Sequence, residues 1–270
     1  GASVIVGARR PDVAAENLAD VAGDVTAISL DLIDPASVDA FAEAVSDRIT
    51  QLHILINSAA IMANPLTRDP RGYESQFAVN HLGHFQLTAR LWPLLTAAEG
   101  ARVVVLTSSA HRRNGLDLDD VNFESREYER WLAYAQAKSS NALFALALDK
   151  LGEPQHVRAF CVDPGGILTP LQRHLTKEEQ MAMGWFDEDG NPHELFKTVE
   201  QGASTTVWCA TSPLLDGMGG VYCEHCNIAI PWHKDNPRES AGVMPHVRDE
   251  STADALWTKS EEMTGVRFPT

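Results

Sequence analysis

The chain has 270 residues, 44% of them hydrophobic, and its 37 acidic and 22 basic side chains give a formal net charge of -15 at pH 7. This composition suits one α/β domain with a large core, and the charge argues against the basic surface that nucleic-acid binding requires. No apolar run approaches the roughly 18 residues of a membrane span and no secretory signal opens the chain, so we expect a cytoplasmic protein.

Short apolar or β-branched runs predict six strands, and stretches with apolar residues three and four apart predict helices between them. The predicted strands cover residues 4–6, 25–30, 52–56, 102–106, 156–162 and 220–223. The predicted helices cover residues 35–49, 73–95, 128–151, 199–211 and 252–264. Asp34 followed by Pro35 has the pattern of a capped helix start. Strands that alternate with helices predict a doubly wound, Rossmann-type parallel sheet.

We expect one domain over residues 1–270, with an irregular substrate lid at about 168–198 and a tail at about 231–270. In a doubly wound sheet, ligands bind beyond the carboxyl ends of the strands. Several polar or turn residues directly follow predicted strands, namely Arg9, Asp31, Asn57, Ser109 and Pro164. The sequence therefore predicts the functional site at this edge of the sheet.

Tyr134 and Lys138 are four residues apart in a predicted helix, so their side chains share one face. A nearby ammonium lowers the pKa of a phenol, which would let the tyrosine act as an acid or base. By itself this spacing is more typical of a solvated helix face. Ser109 at a strand end, 25 residues before Tyr134, and Asn80 inside a helix give the pair a catalytic context.

These residues, in this order, resemble the Asn, Ser, Tyr and Lys tetrad of the short-chain dehydrogenase/reductase family. Asn80 lies in Val79-Asn80-His81-Leu82-Gly83, and Thr107-Ser108-Ser109 resembles the serine element, with Ser109 the better match by offset. Pro164-Gly165 resembles the loop that follows the next strand in that family. The resemblance extends from residue 1 to about residue 230.

The resemblance implies an oxidoreductase that moves hydride between a nicotinamide and a carbonyl or alcohol. Tyr134 would be the general acid or base, and Lys138 would lower its pKa and hold the nicotinamide ribose. Ser109 would hydrogen-bond the reacting oxygen, and Asn80 would anchor a water in the proton path.

The cofactor implied by the resemblance is NADP(H), with NAD as the alternative. In the family, an acidic residue at the end of the first strand present here favours NAD, but this chain has Ala8 followed by Arg9 and Arg10. A guanidinium suits a 2′-phosphate, and Arg9 is the expected contact. Asp31 and Leu32 match the adenine contact.

Three further segments match cofactor-binding positions of the family. Asn57 matches the residue that steadies the central strand, and Ala59 and Ala60 would let the cofactor approach the backbone, although glycine is more usual at position 60. Pro164 and Gly165 would complete the cofactor site. No metal is expected: Cys223 and Cys226 supply only half of a zinc site.

The family's first strand and glycine-rich turn have no counterpart, because the chain begins at Gly1-Ala2-Ser3-Val4, which matches the second strand and the residues before it. We therefore expect an N-terminally truncated fold in which two neighbours of the missing strand lack a partner. The chain would be a fragment, a mis-started product or a degenerate member.

The segment 116–123 and Leu143-Phe144 resemble the retinol dehydrogenase and protochlorophyllide reductase branch, which implies a bulky apolar substrate. Met181, Met183, Trp185 and Phe186 in the lid would supply apolar contacts, or would simply pack the lid onto the body.

Two other functions stay open. The chain could be a non-catalytic member that serves as a partner or dimer surface, or an epimerase or dehydratase, although those enzymes run longer. Helices 73–95 and 128–151 could pair two copies across a two-fold axis to give a homo-oligomer.

Overall fold

The computed structural model describes residues 1–113, 115–235 and 241–269. In the predicted tail at 231–270, residues 236–240 and 270 therefore lie outside the described residues. The strands in the described residues are β1 (Ser3–Ala8), β2 (Asp24–Ser29), β3 (Ile54–Asn57), β4 (Arg102–Leu106), β5 (Arg158–Asp163), β6 (Val221–Glu224) and β7 (Asn227–Ile228). The α-helices are α1 (Pro11–Asn17), α2 (Pro35–Ser46), α3 (Ser75–Phe77), α4 (Gly83–Thr96), α5 (Arg130–Gly152), α6 (Lys177–Ala182), α7 (Val199–Thr211) and α8 (Glu250–Thr264).

Strands β3 to β6 run parallel in that order, and β7 joins β6 antiparallel. Side chains of β4 alternate between the two faces, as the pleat requires. Val103 and Val105 pack with α4 and α5, whereas Val104 packs with Phe160 and Cys209, which lies on α7. Helices on both faces of a parallel sheet confirm the predicted α/β doubly wound, Rossmann-type fold.

The strands form two separate sheets. β1 pairs only with β2, and β3 pairs only with β4, so each of β1 and β3 has one strand partner in the described part of the chain. Apolar side chains of both sheets nevertheless share one core cluster: Ile5 of β1 and Leu55 of β3 pack with Phe41 of α2 and Leu87 of α4. The two sheets therefore lie under the same helices without hydrogen bonds between them.

The structure differs from the predicted elements after β1 and after β6. A helix, α1, begins at Pro11, between the first two predicted strands, where no helix is predicted. Cys223 lies in β6, and the chain then reverses through His225 and Cys226, which both have positive φ, to pair β7 with β6. The predicted strand at 220–223 is therefore the first arm of a hairpin, in which Cys223 is buried and Cys226 is exposed.

The predicted long helix at 73–95 is interrupted. A π-helical turn (Ala78–Leu82) separates α3 from α4 and contains Asn80. Such turns widen the backbone and release a carbonyl from the regular helical ladder. Here His84 Nδ1 lies 3.0 Å from the carbonyl oxygen of Asn80, so the histidine ring satisfies this group.

Candidate active site

A cavity of about 110 Å³ opens at the carboxyl ends of β3, β4 and β5. It brings together side chains from four predicted segments of the chain. Its lining residues are Ser58, Ala60, Leu106, Thr107, Ser108, Tyr134, Lys138, Asp163, Pro164, Gly165, Ile167, Thr169 and Leu171. The predicted position of the site at this edge of the sheet agrees with this cavity.

Tyr134 and Lys138 lie on adjacent turns of α5, both almost fully buried, with the Lys138 Nζ atom 5.8 Å from the centroid of the Tyr134 ring. Two hydrogen bonds fix α5 against β4. Thr107 Oγ1 donates to the carbonyl oxygen of Lys138 over 2.7 Å, and Lys138 Nζ donates to the carbonyl oxygen of Leu106 over 3.0 Å. The lysine therefore keeps two of its three ammonium hydrogens for other acceptors.

Burial dominates the acidity of both groups. It raises the pKa of Tyr134 above its ordinary value, the hydrogen bond with Ser108 lowers it, and the charge of Asp163 raises it further. Burial therefore outweighs the contribution that lowers the pKa of Tyr134, and the effect expected from Lys138 stays a prediction. Burial also lowers the pKa of Lys138 to about 8, against the opposing charges of Cys161 and Asp163.

Of the two adjacent serines, Ser108 lines the cavity and the predicted Ser109 does not. Ser108 lines the cavity together with Tyr134. Ser108 caps a short 3-10 helix (Ser109–Arg112) by accepting from the backbone N–H of Ala110. Ser109 is the first residue of that helix and does not line the cavity. The number of residues before Tyr134 does not distinguish two adjacent serines. The start of the 3-10 helix does, because Ser108 caps the helix and Ser109 is its first residue.

Asn80 is fully buried, but its side chain does not reach the cavity. Its Oδ1 accepts from the backbone N–H of Ile61 and its Nδ2 donates to the carbonyl oxygen of Ile61, each over 2.9 Å. These bonds hold the loop after β3, which contributes Ser58 and Ala60 to the cavity. The water-anchoring role expected of Asn80 stays a prediction.

The loop after β5 forms the opposite wall. Asp163 Oδ1 accepts from the backbone N–H of Gly165 over 2.9 Å, and Lys197 Nζ donates to the carbonyl oxygen of Pro164 over 3.0 Å. Gly165 has a φ of 84°, and a Cβ there would lie 2.9 Å from the Lys197 side chain. Glycine therefore meets both a conformational and a steric requirement. Asp163, a buried carboxylate in the cavity wall, was not predicted from the sequence.

The predicted adenine end of the site lies at the ends of β1 and β2. Arg9 follows β1, is exposed, and forms no ion pair with any acidic side chain that the structure describes. Asp31 follows β2, where its backbone N–H donates to Ser37 Oγ over 2.9 Å. Leu32 is buried, and Gly83 at the start of α4 comes so close that a Cβ there would lie 2.5 Å from the Leu32 carbonyl oxygen.

Asn57 and its neighbours end β3. Asn57 Nδ2 donates to Thr88 Oγ1 over 3.0 Å, and Thr88 Oγ1 donates to the carbonyl oxygen of His84 over 2.7 Å, which ties β3 to α4. Ala60 lines the cavity, whereas Ala59 is exposed and does not. The small residue beside the cavity is therefore Ala60.

The lid covers Tyr134 with apolar side chains. Leu175 is buried against Tyr134, with Met183 and Trp185 packed on the same cluster. The Trp185 ring is perpendicular to that of Trp131 on α5, with centroids 6.2 Å apart. An ion pair between Arg130 and Glu179 joins α5 to α6. Thr169 and Leu171 of the lid complete the cavity wall.

Other features of the described residues lie apart from this site. A larger cavity of about 290 Å³ is lined by Tyr73, Asp119, Asp120, Val121, Asn122, Glu124, Lys259, Glu262 and Met263, and contains none of the predicted site residues. Within residues 1–113, 115–235 and 241–269, no three His, Cys, Asp or Glu side chains are grouped to hold a metal. None of the helices in these ranges is long and apolar enough to cross a bilayer.

Comparison with known proteins agrees with this geometry. The sequence model of the family described as short chain dehydrogenase matches residues 1–180. The chain belongs to the short-chain dehydrogenase/reductase family. It is therefore an oxidoreductase that acts on CH–OH or C=O groups with NAD(P). A Streptomyces antibioticus protein described as a "Probable oxidoreductase" is 42% identical over 95% of this chain and 87% of its own length. Human retinol dehydrogenase 12 is 35% identical over 88% of this chain and 69% of its own length, which supports the retinol dehydrogenase-like branch.

Solved structures of short-chain dehydrogenases share the fold. A crystal structure of an uncharacterized protein from Mycobacterium paratuberculosis superposes with a TM-score of 0.74 at 32% identity, covering 100% of this chain and 87% of the other. The NADP complex of Pseudomonas aeruginosa RhlG superposes with a TM-score of 0.62 at 22% identity, covering 83% and 85% of the two chains.

Proposed function

We propose that this chain is an NADP(H)-dependent oxidoreductase that moves hydride between the nicotinamide and a bulky apolar carbonyl or alcohol, with Tyr134 as general acid or base. The observation that carries the proposal is the placement of Ser108 and Tyr134 around one cavity, with Lys138 on the next turn of the same helix as Tyr134. The apolar lid over Tyr134 and the relatives among retinol dehydrogenases support the substrate class.

The bound nicotinamide supplies or accepts the hydride. During reduction, Tyr134 gives its phenolic proton to the substrate oxygen, which gains negative charge as the carbonyl carbon takes the hydride. The raised pKa of Tyr134 keeps that proton in place until such an acceptor arrives. The Ser108 hydroxyl donates a hydrogen bond to the same oxygen, which stabilises the charge as it develops. Oxidation of an alcohol runs through the same steps in reverse.

Lys138 has two tasks in this proposal. Its two remaining ammonium hydrogens would hold the ribose hydroxyls of a bound nicotinamide nucleotide, and its charge would stabilise the phenolate that Tyr134 becomes. Asn80 acts through the loop that it holds, since both of its side-chain groups are bound to Ile61.

The residues around the cavity fit a dinucleotide. Ser58, Ala60 and Gly165 are small, so a planar ring can approach the strand ends closely, and Pro164 borders the same wall. Arg9 supplies a cation at the end of β1, with Asp31 and Leu32 beside it at the end of β2. A guanidinium free of ion pairs to described acidic groups suits a 2′-phosphate, which supports NADP(H) over NAD.

A fluorescence titration of the chain with NADPH and NADH tests this proposal. We expect tighter binding of NADPH, and Arg9→Ala should weaken NADPH binding about tenfold or more while NADH binding stays within about twofold, since a charged hydrogen bond contributes roughly 1.5–3 kcal/mol. Arg10→Ala, one residue further from β1, is the matched control. Binding of neither nucleotide, together with no turnover, would favour the non-catalytic alternative.

A further inference from the structure

A buried histidine contacts the backbone of Ser108, the serine of the proposed site. His111 is fully buried in the 3-10 helix after β4 and does not line the cavity. Its Nδ1 lies 2.8 Å from the carbonyl oxygen of Ser108. The ring therefore contacts the backbone just after β4, at the serine that lines the cavity.

The contacts of the ring assign its proton. The backbone N–H of Met244 donates to His111 Nε2 over 3.3 Å, so Nε2 carries no hydrogen. The proton of the neutral ring is therefore on Nδ1, which donates to Ser108. Burial lowers the pKa of His111 to about 4, which agrees with a neutral ring. Met244 is 133 residues further along the chain, so the tail selects the tautomer.

The same ring belongs to a longer chain of hydrogen bonds. The Tyr222 hydroxyl lies 3.2 Å from His111 Nδ1 and 3.4 Å from Asp163 Oδ2. Because the carboxylate can only accept, the Tyr222 hydroxyl donates its hydrogen to Asp163. The Tyr222 oxygen accepts from the Nδ1–H of His111, which also donates to the carbonyl oxygen of Ser108. Asp163 in turn accepts from the backbone N–H of Gly165. The bonds thus run from Ser108 to Gly165 and join the ends of β4 and β5.

We propose that His111 is a positioning residue for the reaction: its Nδ1–H holds the Ser108 backbone, and the bonds through Tyr222 and Asp163 hold the Pro164–Gly165 loop at a set distance from it. This inference rests on the proposed function, since Ser108 matters for turnover only if it binds the reacting oxygen. Nothing in the family resemblance or in the sequence pattern assigns such a role to His111. The tail residue Met244 is part of the same support.

Two isosteric substitutions separate this role from simple packing. Asn places an amide N–H near the position of Nδ1, and Gln places its amide near Nε2. We expect His111→Asn to keep kcat within about threefold of wild type and His111→Gln to lower kcat about a hundredfold, since small misplacements of a reacting group cost about that much. KM should change little in either variant, because Ser108 acts mainly in the transition state.

We expect both His111 variants to lose stability, and urea unfolding measures this loss separately from the change in kcat. Ser260→Ala removes another buried hydrogen bond, that to His81, and serves as the control for lost stability without lost turnover. Equal losses of kcat in the Asn and Gln variants would overturn the positioning role and leave the ring as a packing element. An unmodified chain that turns over no carbonyl or alcohol would overturn the proposed function and the positioning role with it.

The tautomer itself can be read without turnover. In the full chain labelled with ¹⁵N-histidine, long-range ¹H–¹⁵N spectra should show two neutral rings protonated at Nδ1 that do not titrate between about pH 5 and pH 9, those of His84 and His111, and His111→Asn should remove one of the two signals. A ring protonated at Nε2, or a cationic ring in this range, would overturn the hydrogen-bond assignment. This readout fails or succeeds independently of the proposed function.

Discussion

The side chain of Asn80 forms two hydrogen bonds with the backbone of one residue, Ile61, as acceptor from its N–H and as donor to its carbonyl, each 2.9 Å long. The pair joins the π-helical turn before α4 to the loop after β3. An amide is the only common side chain that can donate and accept from one planar group in this way. The asparagine therefore holds one wall of the cavity in position without lining the cavity itself.

Replacing Asn80 with Asp should destabilise the fold. Aspartate can accept from Ile61 but cannot donate to its carbonyl, and it would bury a charge at a fully buried position. We expect the free energy of unfolding to fall by about 2–4 kcal/mol in urea titrations at neutral pH. Gln51→Ala, which removes an exposed bond to Ala97, is the control and should cost less than about 1 kcal/mol. Equal stability of N80D and wild type would contradict the paired hydrogen bonds.

The two adjacent serines should differ sharply in turnover. Ser108→Ala removes the serine hydroxyl that lines the cavity with Tyr134, so kcat should fall about 100- to 1000-fold, as for loss of one oxyanion donor. Ser109→Ala should leave kcat within about twofold, since Ser109 does not line the cavity. Steady-state kinetics with an apolar aldehyde and NADPH measure both. A larger loss in Ser109→Ala would restore the assignment made from the sequence.

Lys138 should make stability depend on pH. Its pKa falls from the ordinary value of 10.5 to about 8 in the folded chain, so between these pH values the unfolded chain binds more protons. The contribution of Lys138 to stability therefore rises as the pH increases through this window, and below about pH 8 its buried charge costs about 3 kcal/mol.

Lys138→Met tests that cost. We expect the free energy of unfolding of the variant to exceed that of wild type by up to about 3 kcal/mol at pH 7. The difference should shrink toward pH 10. Leu106 keeps one hydrogen bond in the variant, from Asn141 Nδ2. Turnover should be lost. A difference that does not change with pH would show that the Lys138 charge is well compensated in the folded state.

The lid tryptophan should influence the binding of large substrates. Trp185 packs on Trp131 and on Phe196, with ring centroids 6.2 Å and 5.8 Å apart. We expect Trp185→Ala to raise KM for bulky apolar substrates about tenfold and to change kcat less, because uniform binding is lost. Met181→Ala is the control within the same lid, since Met181 is 43% exposed. Equal effects of the two substitutions would argue against a substrate contact at Trp185.

Local patterns predicted most of the elements because the deciding signals were close in sequence. Arg102–Leu106 and Val199–Thr211 have the predicted bounds, and Asp34 accepts from the backbone N–H of Ala36 as its capping pattern indicated. Tyr134 and Lys138 were predicted as a pair because four residues make one helical turn. The α1 helix carried a usable signal that was missed, since proline is common at the first helical position.

Other parts of the site depend on contacts between distant residues. Asp163, Tyr222 and His111 come together only when β4, β5 and β6 align, and Met244 reaches them from the tail. The choice between Ser108 and Ser109 depends on where one short helix begins. The raised pKa of Tyr134 reflects burial under the lid, which no spacing of residues along the chain records.

The division of the strands into two sheets has a consequence for local stability. The β1–α1–β2 segment is joined to the rest by side-chain packing on α2 and α4, without strand pairing to β3 in the described residues. Its opening would break few backbone hydrogen bonds outside the segment. The opening that lets the amides of β1 and β2 exchange with solvent should therefore cost less free energy than the opening of β4 and β5. The Arg9 end of the molecule would then open as its own cooperative unit while the Tyr134 end stays folded.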